Sequence, residues 1–476
     1  MENKLRLGML VALVFSTMVG AGIFSLPQNV AVSAAPGAIT LGWLITGCGM
    51  LALVTVLRNL VVRFPNLNGG IFSYAQAGFG NYIGFMSAWG YWICNLLANV
   101  SYAVVFFSAI GYFVDTPENP VMGQGNTPIA VLGGSLLIWS MHALVLRGVT
   151  RAALINVFAT VAKIIPILTF VCLAVMAFSF DKFTLDFWGE KTPELGSVLD
   201  QVKATMMVTL WVFIGIEGAV ILSNRAKDKR DVAKATGIAL FSALVLYIAV
   251  SLFTLGVMTQ PEVAQLKNPS MAHILEVIVG PWGAMLINAG LIISVSGALL
   301  SWTVVSAEVP FIAAKEGLFP KAFTKENSKG AATTSLWFSS CLVQLFLILT
   351  LLQESSYLAL VNIATSAVLL PYFLVGAYGV KVALSGEGYS EMEGRKKDFV
   401  IALISSFYGA WLVYAAGAEY MLLCALLYLP GVLIYKKALA EKQQAFNKQD
   451  YAYSFVLLAG AAGAVYLLST GVLSLS

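Results

Sequence analysis

Ser16-Thr17-Met18-Val19-Gly20-Ala21-Gly22-Ile23-Phe24-Ser25 lies in the middle of an apolar run that extends from Leu7 to about Val32. Two glycines there flank one small residue. Five apolar runs later, Trp211-Val212-Phe213-Ile214-Gly215-Ile216-Glu217-Gly218 repeats the device, glycine-bracketed again and carrying an acid. A helix in hydrocarbon must satisfy its own backbone, so breaks are tolerated only against protein or a watery cavity. Either motif alone reads as a close-packing surface between helices. The pair reads as the broken helices of a carrier built from inverted repeats, with its binding site near the midplane. A dinucleotide reading of Gly20-Ala21-Gly22 fails, because no soluble strand–turn–helix unit surrounds it.

The rest of the chain agrees. Its 476 residues are 59% hydrophobic and 11% charged, whereas ordinary globular chains are about 25% charged. Thirteen candidate spans lie near 8–33, 38–57, 82–113, 128–146, 152–178, 201–224, 233–259, 281–307, 333–352, 357–380, 399–417, 420–435 and 452–474. Most reach the roughly 20 residues that cross a ~30 Å hydrocarbon core. The first run is too long for a signal-peptide h-region.

With the N-terminus in the cytoplasm, twenty-three Lys and Arg residues fall inside, among them the Arg225–Arg230 cluster and Arg395-Lys396-Lys397. Four fall outside, and Lys163 remains within a span, which completes the 28. That asymmetry is the positive-inside pattern. Outer segments are acidic instead, with Asp115, Glu118, Asp181, Asp186, Glu190 and Glu194, and read mainly as a solvated face. Basic residues dispersed over short loops do not suggest nucleic acid.

Chemistry-bearing clusters are missing. Five cysteines are scattered through apolar runs, and His142 and His273 have no nearby acid or thiol cluster in the sequence. A metal centre, a cofactor and a membrane enzyme are therefore not expected. No ring of charges or repeated filter loop suggests a channel.

Unwinding supplies the recognition chemistry. Freed N–H groups at Ala21, Gly22 and Ile23, after the turn at Thr17, can receive a carboxylate, helped by the positive end of the following half-helix. Freed carbonyls near Met18, Trp211 and Ile214 can receive an ammonium. An α-amino acid carries both groups on one carbon.

Two charges stay deep in the spans. Lys163 lies about 11 residues, roughly 16 Å, into its helix, too deep to snorkel easily. It reads either as a structural ammonium or as a fixed charge in a cation-coupling site. Glu217 reads either as a pin between helices or as a gate. Trp211 and Trp302 sit at depths where a tryptophan face attracts a cation. Asn99 and Tyr102, three apart on one helix face, add polar contacts.

These residues resemble the amino acid–polyamine–organocation superfamily and its basic amino acid/polyamine antiporters. The resemblance is carried by the glycine-bracketed first span, Pro65-Asn66-Leu67-Asn68-Gly69-Gly70, Leu210 to Glu217, Ser301-Trp302-Thr303 and Lys315-Glu316-Gly317-Leu318-Phe319-Pro320. Trp89-Gly90-Tyr91-Trp92, Ala98 to Tyr102 and Asn268 to Ala272 resemble, more narrowly, the bacterial arginine/ornithine antiporters. The resemblance implies an all-α, leucine-transporter-like core over 1–380, with five-helix repeats at about 8–178 and 201–380. Residues 381–476 would add C-terminal helices. It places carboxylate binding on Ala21 and Gly22, amine binding on Met18, Trp211 and Ile214, and the side-chain cover on Trp302. The tenth-span polar contact maps onto Thr365 or Ser366. Lys163 resembles the fifth-helix lysine that replaces a coupling sodium ion.

Two departures stand out: Ala21 replaces a serine between the glycines, and Tyr102 replaces a smaller apolar residue. The expectation is exchange of cationic amino acids, arginine for ornithine, across a bacterial inner membrane. Lysine/cadaverine exchange, histidine/histamine exchange and proton-coupled uptake are the alternatives, and a homo-oligomer is possible.

Overall fold

The computed structural model describes residues 7–67, 69–116, 118–217, 229–351, 357–389 and 394–471. Lys4, Asn68, Gly218 and the Arg225–Asp228 part of the basic cluster lie outside these residues. No strand forms among the described residues, and the chain is all-α.

The first span is two helices, α1 (Leu7–Met18) and α2 (Gly22–Ala31). There follow α3 (Pro36–Arg63), the short α4 (Ile71–Phe79), α5 (Asn81–Val114), α6 (Pro128–Leu146) and α7 (Val149–Met176). The sixth span starts as α8 (Val198–Trp211), and α9 is Lys229–Val257. A short α10 (Ser270–Val279) precedes α11 (Pro281–Lys315), α12 (Thr333–Leu349), α13 (Tyr357–Ser385), α14 (Arg395–Glu441) and α15 (Lys448–Ser469). Among the described residues, eight helices are long and apolar enough to cross a membrane. The 47-residue α14 turns at Gly417 (φ 79°, ψ 168°), so the predicted eleventh and twelfth spans are its two limbs. Outward-facing Leu44, Leu132, Phe407 and Phe455 are exposed, as lipid contact requires.

Sequence reasoning missed a second internal correspondence. α4 passes through Gly80 (φ 92°, ψ 174°) into the 34-residue α5, and α10 passes through Gly280 (φ 85°, ψ −170°) into the 35-residue α11. Only glycine adopts that backbone without strain. α5 begins beside α4, and its far portion reaches the loop before α10, where Ser108 Oγ donates to Asn268 O at 2.7 Å. The two short helices therefore lie at opposite faces.

Two prolines fix how the long helices dock. Pro310 offers no N–H to the Ser306 carbonyl four residues back. That oxygen instead accepts Trp92 Nε1 at 3.0 Å and Ser339 Oγ at 2.8 Å, which ties α5, α11 and α12 together. Pro371 in the same way frees Ala367 O, which accepts Tyr428 Oη from the second limb of α14 at 2.7 Å. Gly90 of α5 makes the room, since a Cβ there would collide with the Tyr428 hydroxyl.

Candidate substrate-binding site

Both predicted breaks are present. At the first, the ladder of α1 ends with Val19 N–H on Phe15 O at 2.8 Å and Gly20 N–H on Met18 O at 2.9 Å. α2 restarts at Gly22, so the N–H groups of Gly22 and Ile23 belong to its first turn, where no carbonyl of the same helix can reach them. At the second break the backbone tightens into three-residue turns. Phe213 N–H bonds Leu210 O at 2.9 Å, Ile214 N–H bonds Trp211 O at 3.1 Å, and Ile216 N–H bonds Phe213 O at 3.2 Å. Tyr247 Oη of α9 donates to Val212 O at 2.7 Å, a support that nothing in the local pattern announced.

Three aromatic rings close on three glycines. A Cβ at Gly20 would stand 3.1 Å from the Tyr102 hydroxyl, and one at Gly22 would stand 3.1 Å from the Trp211 indole. At Gly215 (φ 112°) it would meet Thr17 O at 2.6 Å and Trp302 at 3.1 Å. Glycine here is what lets the rings rest on bare backbone. Tyr102 and Trp211 face each other at 6.4 Å between centroids.

Six of the predicted residues line this one pocket: Met18, Gly22, Tyr102, Trp211, Ile214 and Trp302. Its free volume is about 10 Å³, room for about one water. Admitting an amino acid therefore requires the rings to swing outward. The larger cavities, of about 360 and 830 Å³, lie elsewhere, at the junction of α4 with α5 and in the loop before α10.

Other predicted residues fall nearby but not in the pocket. Ala21 and Ile23 are buried in the break. Thr17 Oγ1 bonds Val14 O within α1, so only its carbonyl faces the second break. Asn99 borders a separate small cavity with Thr303 and Ser306, and its amide donates to Asn95 O at 2.8 Å and Ser306 Oγ at 3.0 Å. Thr365 and Ser366 bond carbonyls of their own helix, Val361 O and Asn362 O, and do not line the pocket. Tyr357, which sequence reasoning missed, packs against Trp211. His142 is buried, with Nδ1 2.8 Å from Ser340 Oγ.

The chain matches the amino acid permease family over residues 6–461. It is 47% identical to the arginine/ornithine antiporter of Pseudomonas aeruginosa, covering 100% of this chain and 99% of that protein. The chain belongs to the amino acid permease family. Its identity to the putative arginine/ornithine antiporter of Escherichia coli is 48%, over 98% of this chain and 100% of that one. The L-lysine transport protein of Corynebacterium glutamicum is 40% identical, over 98% of this chain and 95% of its own. This permease is thus an all-α, multi-pass membrane transporter and not an enzyme.

Two buried charged side chains of the permease, Lys163 and Glu217, each hold a break. Lys163 Nζ of α7 donates to Val19 O at 2.5 Å, at the unwound turn of the first span. Glu217 Oε1 accepts the Gly215 N–H at 3.0 Å, and Oε2 accepts Tyr372 Oη of α13 at 2.8 Å. Tyr91 of α5 faces the same carboxylate. Neither charge lines the pocket; each pins backbone beside it.

At one face, Glu316 Oε1, just past α11, accepts Ser73 Oγ at 2.5 Å and Gly69 N–H at 3.3 Å. At the other, Asn268 Nδ2 donates to Gln28 Oε1 at 3.1 Å and Asn29 Oδ1 at 2.9 Å of α2. Each face of the permease thus has a latch joining the loop before a short helix to a neighbouring span.

Proposed function

We propose that this permease exchanges extracellular arginine for cytoplasmic ornithine by alternating access in a bacterial inner membrane, with its N-terminus inside. The observation that carries the reading is the pocket where both breaks meet under three aromatic rings. The N–H groups of Gly22 and Ile23 receive the carboxylate, and carbonyls at Met18, Trp211 and Ile214 receive the α-ammonium as the turns loosen. Trp302 and Tyr102 then cover a cationic side chain. Both substrates carry a net single positive charge, so a one-for-one swap moves no charge and needs no ion gradient. Full-length similarity to antiporters of that pair supports the choice. The matching helix–glycine–helix units at Gly80 and Gly280 support five-span repeats over about 8–178 and 201–380, with 381–476 added to them. Likeness to a lysine transport protein keeps lysine as the second reading.

The test is uptake of labelled arginine into liposomes loaded with ornithine, lysine, histidine or nothing. Uptake from empty liposomes, or equal rates with ornithine and histidine, would overturn the arginine/ornithine reading. Trp302→Ala is expected to weaken arginine binding by up to about thirtyfold, because one desolvated aromatic face is worth about 1–2 kcal/mol to a cation. Equilibrium binding to the purified variant checks this, and wild-type affinity would sink the assignment.

On this topology the Glu316 latch closes the cytoplasmic side. Burial raises the Glu316 carboxyl above its ordinary value, and the bonds from Ser73 and Gly69 offset only part of that. A carboxyl raised in the latched form holds its proton more tightly there than when the latch is open to water. Acidifying the cytoplasmic side through that raised value is therefore expected to favour closure and slow exchange. Glu316→Gln should flatten the dependence, and rates measured against internal pH decide it.

A further inference from the structure

The junction of α4 and α5 borders a cavity of about 360 Å³, walled on its other sides by the end of α14 and the start of α15. That volume falls within the range of small-molecule sites. At its base is Asp450, only 4% exposed. Asp450 Oδ2 accepts the Asn447 N–H at 3.0 Å in the cap of α15, and no lysine or arginine pairs with the carboxylate among the described residues. Tyr82 and Tyr435 share the cavity lining with it, and the Tyr82 hydroxyl lies 3.0 Å from Ser454 Oγ. Tyr82 stands 5.3 Å from Tyr435 and 5.5 Å from Tyr453, between ring centroids, and Tyr453 is 42% exposed at the rim.

A cation that enters the cavity meets this carboxylate with no competing lysine or arginine paired to it among the described residues. Aromatic walls add attraction for the same sign of charge. The Asn447 N–H takes up one carboxylate oxygen, Oδ2, and Asp450 lines the cavity. We propose that this cavity is a second binding site, distinct from the transport pocket, that takes a primary ammonium or guanidinium group. Two sources offer that chemistry on the cytoplasmic face: a free cationic amino acid and an ethanolamine lipid headgroup.

The position gives such a ligand something to act on. One wall is Gly80, Asn81 and Tyr82, the corner between α4 and α5. The end of α14 beside the cavity also holds the segment after Glu316, where Lys321 N–H bonds Glu441 Oε2 at 2.7 Å and the Lys442 side chain lies on Gly317. Occupancy thus bears on both strands of the Glu316 latch, and this regulatory part rests on the alternating-access reading.

The experiment counts labelled ornithine bound per full-length chain by equilibrium dialysis in phosphatidylcholine/phosphatidylglycerol nanodiscs. Two per wild-type chain are expected, falling to one in Asp450→Asn, which keeps the cap geometry, and in Tyr453→Ala at the exposed rim. Replacing phosphatidylcholine with phosphatidylethanolamine leaves two if the occupant is the free amino acid and leaves one if it is the headgroup. One ornithine on the wild type without phosphatidylethanolamine, or two on both variants, overturns the proposal. Liposome exchange measured in parallel reports separately on the transport reading.

Discussion

Gly22→Val is expected to abolish exchange while the protein still inserts and folds. A Cβ at that position would stand 3.0 Å from Val212 Cγ1 and 3.1 Å from the Trp211 indole, and valine adds two further methyl groups beyond it. Overpacking of this kind costs typically about 1–3 kcal/mol, which a large helical protein survives. Exchange should not survive it if the substrate carboxylate docks on the first turn of α2, because the added bulk occupies that approach. Exchange is expected to fall by more than about a hundredfold, or roughly 2.7 kcal/mol. Uptake in liposomes together with the elution profile of the purified variant checks both halves. Near wild-type rates would mean that the break is a packing motif.

Lys163→Ala is expected to slow exchange at least tenfold while arginine affinity stays within about threefold. Lys163 does not touch the pocket; it holds the Val19 carbonyl of the unwound turn. Removing it leaves a buried acceptor bare, a cost of about 1–3 kcal/mol, in whichever conformation makes that bond. A fixed charge that favours one conformation cannot be lost without shifting the balance between conformations. If the Lys163 side chain at the unwound turn takes the place of a coupling sodium ion, the wild type should also exchange at full rate without sodium. Binding and exchange, each measured with and without sodium, separate these effects. Strict sodium dependence in the wild type, or unaltered exchange in the variant, would defeat the account.

Much of the architecture was legible because hydrocarbon leaves few options. Run lengths marked the spans, the glycine brackets marked both breaks, and the depths of Lys163 and Glu217 marked them as internal. What escaped were relationships between distant segments. Tyr247 on Val212 and Tyr372 on Glu217 join residues 35 and 155 apart, and no local pattern carries such a pairing. Helical periodicity placed Asn99 and Tyr102 on one face, yet only Tyr102 reaches the pocket, because Asn99 turns toward Ser306. The resemblance placed a polar contact on Thr365 or Ser366, but a hydroxyl in a span commonly satisfies itself on the preceding turn, as both do. The glycine corners at 80 and 280 were invisible as a pair, since their meaning lies in the length of the helix that follows each.

The bond from Tyr428 to the Ala367 carbonyl bears on how this protein can be taken apart. A minimal carrier cut after α13 would keep every residue of the pocket and both breaks. It would also leave the oxygen freed by Pro371 facing an empty groove over Gly90, within reach of lipid tails that cannot donate a hydrogen bond. The C-terminal limb is therefore a plug in the wall of the transport unit. Fusions, split forms and shortened designs should join the chain beyond Tyr428.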